Sequence, residues 1–372
     1  MGPELDEFRH QAAEFIAEAQ RAGVACPAYG AILAPNIVEP ARRWQAHCAD
    51  HGFAGIHWPT AYGGAGLTPA HTGVWAEECA RADVAPYLNL QGIVLAAGAL
   101  LRYGTEEQKA SLLPPTLTGE LIWCQLFSEP GAGSDLAGLA TRAVPTDDGF
   151  VVDGQKVWSS NAELAGYAIL LARTTDERAA HRGLSFFCYD MTLAGTEVRP
   201  LRQMTGDAEF SEVFLTDVAM PADALLGDLH DGWRVAMSVL EDERGSLGAS
   251  QAIGLARRLT ALGVLASAGG AAGRDRAADL LVRGRALEQL LYRCEGDATR
   301  APMSKLLRSE LDSRAVGAEL DARGAGAMIT DELTDRFLYA PGMRIAGGSS
   351  EIQRNIVGER LLGLPREPKP PK

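Results

Sequence analysis

The sequence lacks paired cysteines, long apolar runs and an excess of basic residues. Its six cysteines form no C-x-x-C pair and no metal-ligand spacing, so we expect no metal site and buried thiols typical of a reducing compartment. No apolar run is long enough to span a membrane. The 48 acidic residues outnumber the 35 basic ones and give a net charge of −13. This balance argues against nucleic acid as the main partner, because phosphate contacts need clustered Lys and Arg.

The start of the chain also lacks the features of a secretory signal. Glu4, Asp6, Glu7 and Arg9 place charges where a signal peptide would have an apolar run. Together with the reduced cysteines, this predicts a cytoplasmic location. With 372 residues, of which 47% are hydrophobic, the chain is long enough to form more than one domain.

The spacing of apolar residues divides the chain into three parts. Helical spacing dominates residues 1–120, short apolar runs separated by turns dominate residues 121–226, and helical spacing returns over residues 227–372. The sequence therefore predicts an α+β protein with three domains. These are an N-terminal helical domain, a middle antiparallel β-barrel and a C-terminal helical bundle.

Individual runs give more specific predictions within these parts. Tyr167 to Ala172, Leu184 to Tyr189 and Glu212 to Leu215 are short apolar runs that predict strands. Trp233 to Ala266 has helical spacing throughout and predicts one long helix. The last helix of the N-terminal part is expected over Thr105 to Leu113, and Pro114, Pro115 and Gly119 are expected to close the helical region.

A glycine-containing stretch follows the first apolar run of the middle part. Residues 121–126 form that run, and Pro130, Gly131 and Gly133 follow in a loop where backbone can approach a ligand closely. Small side chains, hydroxyls and free N–H groups suit a phosphate or a planar cofactor. The loop is no dinucleotide fingerprint, because Leu136 stands at the third glycine of G-x-G-x-x-G. An ordinary glycine-rich turn is the alternative interpretation.

Three segments resemble, in the same order, the signature motifs of the acyl-CoA dehydrogenase family. Residues 123–139, WCQLFSEPGAGSDLAGL, resemble its flavin-binding signature, and residues 154–162, GQKVWSSNA, resemble its second flavin strand. Residues 347–356, GGSSEIQRNI, resemble its C-terminal signature. Apart from these three, residues 58–67 resemble a loop of its N-terminal domain. The resemblance implies the same three-part fold, FAD as cofactor and an acyl-CoA thioester as substrate.

The expected reaction is dehydrogenation of an acyl thioester between its α and β carbons. It needs a base for the α proton and an acceptor for the β hydride, and no side chain accepts hydride. The resemblance implies that FAD is this acceptor. Trp158 would pack on the flavin ring, although core packing is its alternative role. The candidate FAD-binding residues at the matched positions are Gln125, Phe127, Ser128, Gly133, Ser134, Trp158, Ser160, Ser349 and Glu351.

The catalytic base does not stand where many family members have it. Their glutamate immediately precedes the glycine of the C-terminal signature, and the matching position here is Gly347. A branch of the family has the base on the long helix after the sheet domain, followed by Arg, and this matches Glu243 and Arg244. Glu243 shares a helical face with Leu240, and an apolar environment suits a base. Asp242 is the alternative base, and a solvated acidic cluster is the structural alternative.

Gly347 is expected to act through its backbone. A backbone N–H can polarise the thioester oxygen, and the resemblance implies such a donor at this position. The missing side chain leaves volume beside the thioester, which suggests that a branched or bulky acyl group is oxidised. The candidate substrate contacts are Ser134, Leu240 and Arg244.

Two family features are missing, and they bear on partners. The Arg-x-x-Phe-Gly run that clamps FAD across a subunit boundary has no counterpart in residues 268–276, and residues 323–326, RGAG, replace a later glycine turn. Both losses resemble actinobacterial-type members, some of which pair two unlike subunits around one cofactor. We therefore expect a homodimer or homotetramer, or a heterotetramer with a related subunit, and an electron-transfer flavoprotein or similar acceptor. A non-catalytic subunit and a flavin oxidase or monooxygenase remain alternatives, and the thioester could be on CoA or a carrier protein.

Overall fold

The computed structural model contains two compact units, Met1–Asp242 and Glu243–Lys372. The predicted domain boundaries at residues 120 and 226 stay predictions. None of the described helices is long and apolar enough to cross a bilayer. The structure describes residues 3–29, 35–175, 180–243, 255, 259, 270–294 and 300–366.

Helices form the first part of the first unit. In the first helix, Phe8, Ala12, Ile16 and Ala19 are buried along one stripe, as the period of 3.6 residues requires. A π-helical turn, Gln91–Ala96, leads directly into the fourth helix. The helices are α1 (Pro3–Arg21), α2 (Pro35–Asp50), α3 (Pro69–Ala82), α4 (Ala97–Tyr103) and α5 (Glu106–Thr118).

Helix α5 is longer than its prolines suggested. It continues through Pro114 and Pro115 to Thr118, so the prediction that it ends at Leu113 is wrong, whereas Gly119 caps its end and does close the helical region. The prolines remove only two N–H donors, and the helix buries Leu113, Leu117 and other side chains along its length. Packing therefore outweighs the lost hydrogen bonds.

The middle part of the first unit is a seven-stranded sheet, and this confirms the predicted α+β class. All three predicted strand runs lie within strands. The strand order is β1-β4-β2-β3-β7-β6, and β5 pairs with β4. The strands are β1 (Trp123–Leu126), β2 (Arg142–Thr146), β3 (Gly149–Ser160), β4 (Tyr167–Arg173), β5 (Leu184–Asp190), β6 (Thr196–Leu201) and β7 (Phe210–Pro221).

The sheet is mixed rather than antiparallel throughout. Strand β1 pairs with β4 in parallel, whereas β3 pairs with β7, β4 with β5 and β6 with β7 in antiparallel fashion. A tight hairpin forces the next strand to be antiparallel, but the parallel partner of β1 is β4, and the chain reaches it only after forming β2 and β3. The apolar pattern could not indicate this pairing, because it does not show which strands become neighbours. The core beside the sheet includes Leu170, Phe187 and Val213.

Helices return after the sheet. Helix α6 (Gly232–Asp242) ends the first unit and starts close to the predicted Trp233. The rest of the predicted long helix lies outside the described residues, apart from Glu243, Leu255 and Leu259. Leu255 and Leu259 belong to the core of the second unit. The second unit contains α7 (Gly270–Cys294), α8 (Ala301–Arg323), α9 (Glu332–Met343) and α10 (Ser350–Ile356).

Candidate active site

The predicted site residues fall into two groups, one in each unit. The first group surrounds the glycine loop between β1 and β2, where a buried lysine ties the loop to the sheet. Lys156 on β3 is fully buried, and its Nζ donates to the carbonyl oxygens of Phe127 at 3.1 Å and Leu171 at 2.8 Å. It also contacts Glu129 Oε1 at 2.9 Å, which makes a buried ion pair.

Glu129 closes the other end of the loop. Its carboxylate accepts hydrogen bonds from the Ala140 N–H at 2.6 Å and the Thr141 N–H at 2.9 Å. Burial acts to raise the pKa of Glu129, but the charge of Lys156 and these hydrogen bonds hold the pKa below its ordinary value. Burial lowers the pKa of Lys156 to about 8, although Glu129 opposes the shift. The loop therefore starts and ends on one carboxylate.

The predicted FAD-binding residues near this loop differ in their solvent exposure. Gly133 and Ser134 are exposed at the loop tip, whereas the Phe127 ring is buried edge-on against Phe186. Gln125 and Ser128 are half-buried, and the Ser128 carbonyl oxygen accepts from the Val157 N–H at 2.9 Å. The loop therefore offers its tip and the end of β1 to a ligand, and it offers little of the Phe127 side chain.

Trp158 is the most exposed aromatic side chain of this group. It is 60% exposed, so core packing does not explain it, and it has a φ of +62° beside a register shift between β3 and β7. Such a φ is unusual for a bulky side chain, and strained backbone conformations of this kind cluster at functional sites. The ring touches only the edge of Phe210 among the aromatic rings in the described residues, and Ser160 nearby is half-buried. Its face is a flat apolar surface.

The second group is built around Gly347, between α9 and α10. Gly347 has a φ of +66°, a conformation that favours glycine. A Cβ added there would lie 3.2 Å from Glu243 Oε1. The half-buried Glu243 carboxylate therefore stands directly beside the place where a side chain at position 347 would begin.

The backbone of this turn is held from below by buried side chains. Gln353 Nε2 donates to the Gly347 carbonyl oxygen at 2.8 Å, and Lys305 Nζ donates to the Gly348 carbonyl oxygen at 2.6 Å. Within the described ranges, no acceptor in the protein is paired with the Gly347 N–H. The turn thus presents an available donor next to a carboxylate.

Sequence models of one family match the chain in three consecutive ranges. The acyl-CoA dehydrogenase N-terminal domain matches residues 2–120, the middle domain matches residues 124–218, and the C-terminal domain matches residues 230–362.

The chain belongs to the acyl-CoA dehydrogenase family.

Individual relatives agree with this assignment. The acyl-CoA dehydrogenase IpdE1 of Mycobacterium tuberculosis is 39% identical over 345 residues, which cover 89% of this chain and 90% of the relative. A solved Tcur3481-Tcur3483 steroid ACAD is 25% identical with a TM-score of 0.83, covering 99% of each chain. The ChsE4-ChsE5 complex of Mycobacterium tuberculosis is 26% identical with a TM-score of 0.81, again over 99% of each chain.

Acyl-CoA dehydrogenases are FAD-dependent enzymes, and the first group of residues fits that cofactor. The exposed face of Trp158 suits a flat ring system, and the exposed Gly133 and Ser134 carry N–H and hydroxyl groups suited to phosphate. An added Cβ at Gly133 would meet nothing within 4 Å, so the loop tip is open. The individual contacts remain predictions.

Other predicted residues have separate positions. Ser349 caps α10 by accepting from the Ile352 N–H at 3.3 Å, and Glu351 is exposed in the first turn of that helix. Leu240 is half-buried on α6, and Arg244 lies outside the described residues. Within the part of the chain that the structure describes, no group of three or more His, Cys, Asp or Glu could hold a metal ion.

Asp242, the alternative base, is engaged in an ion pair. Arg102 on α4 donates to both of its carboxylate oxygens, at 2.6 and 2.8 Å. Such a bidentate contact engages both carboxylate oxygens and fixes the orientation of the carboxylate. A Cβ added at Gly98 would lie 2.8 Å from the same carboxylate, so the ion pair packs closely on α4.

Sequence reasoning missed the residues that hold the two turns. Lys156 and Glu129 stand inside recognised motifs, but their mutual contact could not be seen from their spacing. Lys305 and Gln353 are 3% and 0% exposed. A charged side chain on an otherwise buried helix face was the available signal for Lys305, because lysine is rarely fully buried unless it is paired.

Proposed function

We propose that this chain oxidises an acyl-CoA thioester to the trans-2-enoyl-CoA, with Glu243 as the base that removes the α proton. The observation that carries the proposal is the 3.2 Å distance between Glu243 Oε1 and the Cβ position of Gly347. In many relatives the base is attached at that position, as the resemblance implies. A carboxylate reaching the same place from α6's C-terminal end supplies the same chemistry.

Gly347 contributes a backbone donor in this proposal. Its N–H polarises the thioester oxygen, which makes the α proton more acidic and stabilises the negative charge that develops on the oxygen. The α proton passes to the Glu243 carboxylate, which becomes a neutral acid. FAD, when bound, supplies the acceptor for the hydride that leaves the β carbon.

The acyl group is proposed to be branched or bulky. A glycine at position 347 has no side chain to limit the acyl group, although the Glu243 carboxylate takes the place where a Cβ would begin. A similar solved protein is described as a steroid ACAD, which is consistent with a wide pocket. We therefore expect cyclohexanecarbonyl-CoA to react faster than butyryl-CoA.

Exchange of the α proton with D₂O tests the base directly. Wild-type protein carrying FAD is incubated with cyclohexanecarbonyl-CoA or butyryl-CoA, and deuterium at the α carbon is measured by mass spectrometry. Glu243→Gln should reduce exchange by about 10²–10⁴-fold, the usual contribution of a general base. Glu241→Gln, which alters an exposed neighbour, is the matched control and should change exchange little. Undiminished exchange in Glu243→Gln would refute the assignment, and faster reaction of butyryl-CoA would refute the bulky acyl group.

We also propose that the chain acts with a related second subunit and passes electrons to an electron-transfer flavoprotein or a similar acceptor. The similarity to the ChsE4-ChsE5 complex supports a heteromer, as do the two missing family features. Purification of the chain alone tests this, with bound FAD measured by absorbance and mass by light scattering. A stable yellow homo-oligomer that turns over without another subunit would contradict the heteromer.

A further inference from the structure

We propose that Lys305 is a positioning residue, which fixes the turn around the Gly347 N–H and places a positive charge facing Glu243. The inference rests on the proposed function, because it takes Glu243 as the base and the Gly347 N–H as the thioester donor. Lys305 lies on α8 and touches neither donor nor substrate in this scheme. It acts through the backbone that it holds.

The hydrogen bonds of Lys305 are the first observation. Its side chain is 3% exposed, and its Nζ donates to the Gly348 carbonyl oxygen at 2.6 Å and to the Arg344 carbonyl oxygen at 3.2 Å. These two carbonyls lie on opposite sides of Gly347 along the chain. One ammonium group therefore ties the chain before Gly347 to the chain after it.

Gln353 completes this support from α10. It is fully buried, and its Nε2 donates to the Gly347 carbonyl oxygen at 2.8 Å and less closely to that of Gly348 at 3.4 Å. The Ser350 N–H donates to the Arg344 carbonyl oxygen at 3.1 Å. The carbonyls of Arg344, Gly347 and Gly348 are therefore all engaged, and these contacts hold the backbone on either side of the Ala346–Gly347 peptide, which carries the proposed donor.

Four charged residues, on its own helix and on other segments of the second unit, act on Lys305. Arg308 on the same helix and Arg344 after α9 act to lower its pKa, while Glu243 and Glu351 act to raise it. Burial is the largest cause, and it lowers the pKa of Lys305 to about 8. Lys305 is therefore mostly charged at pH 7, and its charge favours the ionised form of a nearby carboxylate.

A purely structural lysine is the competing explanation. Such a residue would support the fold, and its loss would lower thermal stability without changing how proton removal depends on pH. A positioning lysine changes the rate of proton removal and its pH profile. The pH profile of proton removal therefore distinguishes the two explanations, because a loss of stability alone does not change it.

The experiment measures α-proton exchange in D₂O with cyclohexanecarbonyl-CoA and butyryl-CoA from pH 6 to pH 10. In Lys305→Met we expect about 10–100-fold slower exchange at pH 7 with little change in the half-saturating thioester concentration, the effect of removing a transition-state interaction. The part of the profile in which exchange rises with pH should move to higher pH. The change in exchange rate that accompanies deprotonation of Lys305 near pH 8 should disappear. Lys305→Arg retains a permanent charge and should recover part of the rate, also without the change near pH 8.

Lys109→Met is the matched control, because Lys109 pairs with Glu106 on α5 of the other unit. An exchange profile for Lys305→Met that matches wild type, with only a lower melting temperature, would overturn the inference. If Lys305→Met does not fold, Lys305→Arg still decides, because an unaltered change near pH 8 would contradict the role. If wild type exchanges no α proton with either thioester, the proposed function itself fails. If wild type exchanges and Glu243→Gln does not, a normal Lys305→Met refutes only this inference.

Discussion

Two glycine turns, one in each unit, are each held by a buried lysine in a sequence that contains only five lysines. Lys156 holds the loop between β1 and β2, and Lys305 holds the turn between α9 and α10. Both ammonium groups donate to two backbone carbonyls. They differ in countercharge, because Lys156 contacts Glu129 directly, whereas Glu243 and Glu351 act on Lys305 through their charges.

This difference indicates two kinds of support. The carboxylate of Glu129 accepts hydrogen bonds from Lys156 and from two backbone N–H groups. We infer that this ion pair has a structural role. Among the residues that the structure describes, no carboxylate forms an ion pair with Lys305, so its charge acts on its neighbours over a distance. We infer that the first lysine determines whether its loop forms, and that the second influences chemistry at its turn.

The largest expected effect is on the stability of the first turn. Lys156→Met leaves the 8%-exposed Glu129 carboxylate without its cation and should lower the free energy of unfolding by about 3–5 kcal/mol. Urea denaturation measures this loss. Lys109→Met removes a lysine from an ion pair with a 75%-exposed glutamate and should cost at most about 1 kcal/mol. Equal losses in the two variants would show that the buried pair has no special structural role.

The close approach of Gly347 and Glu243 in the second turn can be tested by substitution. Gly347→Ala adds a Cβ 3.2 Å from Glu243 Oε1 and should slow α-proton exchange by about 10–100-fold, because small displacements of catalytic groups have effects of this size. Gly363→Ala is the matched control, because Gly363 has a similar φ of +65° and open space around it. Both variants bear the backbone cost of about 1 kcal/mol for a left-handed residue. An equal loss of exchange in both would mean that the contact with Glu243 is unimportant.

The pH dependence of stability tests both lysines together. Burial raises the pKa of Cys124 and raises that of Cys188 to about 12, so the unfolded chain releases these protons first and stability falls as pH rises above about 9. Lys156 and Lys305, with pKa values lowered to about 8, release protons first in the folded chain and oppose this fall between about pH 8 and 10.5.

Replacing either lysine removes its opposing contribution. Urea unfolding between pH 8 and 10 should show a steeper loss of stability in Lys156→Met and Lys305→Met than in wild type, by up to about 1.4 kcal/mol per pH unit for each lysine. Lys109→Met should keep the wild-type slope. A wild-type slope in both buried-lysine variants would show that neither pKa is lowered.

The sequence predicted the fold more completely than the supports of the two turns. Tyr167 to Ala172 and Leu184 to Tyr189 match β4 and β5 because buried strands leave continuous apolar runs. Register shifts in β3 change which side chains point inward, so the burial of Lys156 could not follow from alternation alone. The parallel pairing of β1 depends on a long connection whose path no period describes.

In the candidate site, the sequence motifs identified individual residues but not which of them lie close together. Glu243 and Gly347 were both recognisable as sequence positions, but their proximity depends on how the second unit folds. The buried face of α8 carries Ser304, Lys305 and Ser309 towards its start and Leu311 and Ala315 further along, so the apolar stripe is interrupted where Lys305 lies. Polar burial of this kind is specified by partners distant in sequence, and the apolar period does not identify those partners.

The smallest expected effect concerns Asp242, which precedes Glu243 in the chain. Arg102 binds the carboxylate of Asp242 directly, as Lys156 binds that of Glu129, so we infer that Asp242 has a structural role. Asp242→Asn should therefore change α-proton exchange by less than about 3-fold, while weakening a partly exposed ion pair that contributes about 1 kcal/mol or less. Exchange is measured beside Glu243→Gln under the same conditions. If Asp242→Asn abolished exchange and Glu243→Gln did not, Asp242 would be the base, and its ion pair with Arg102 would belong to the active site.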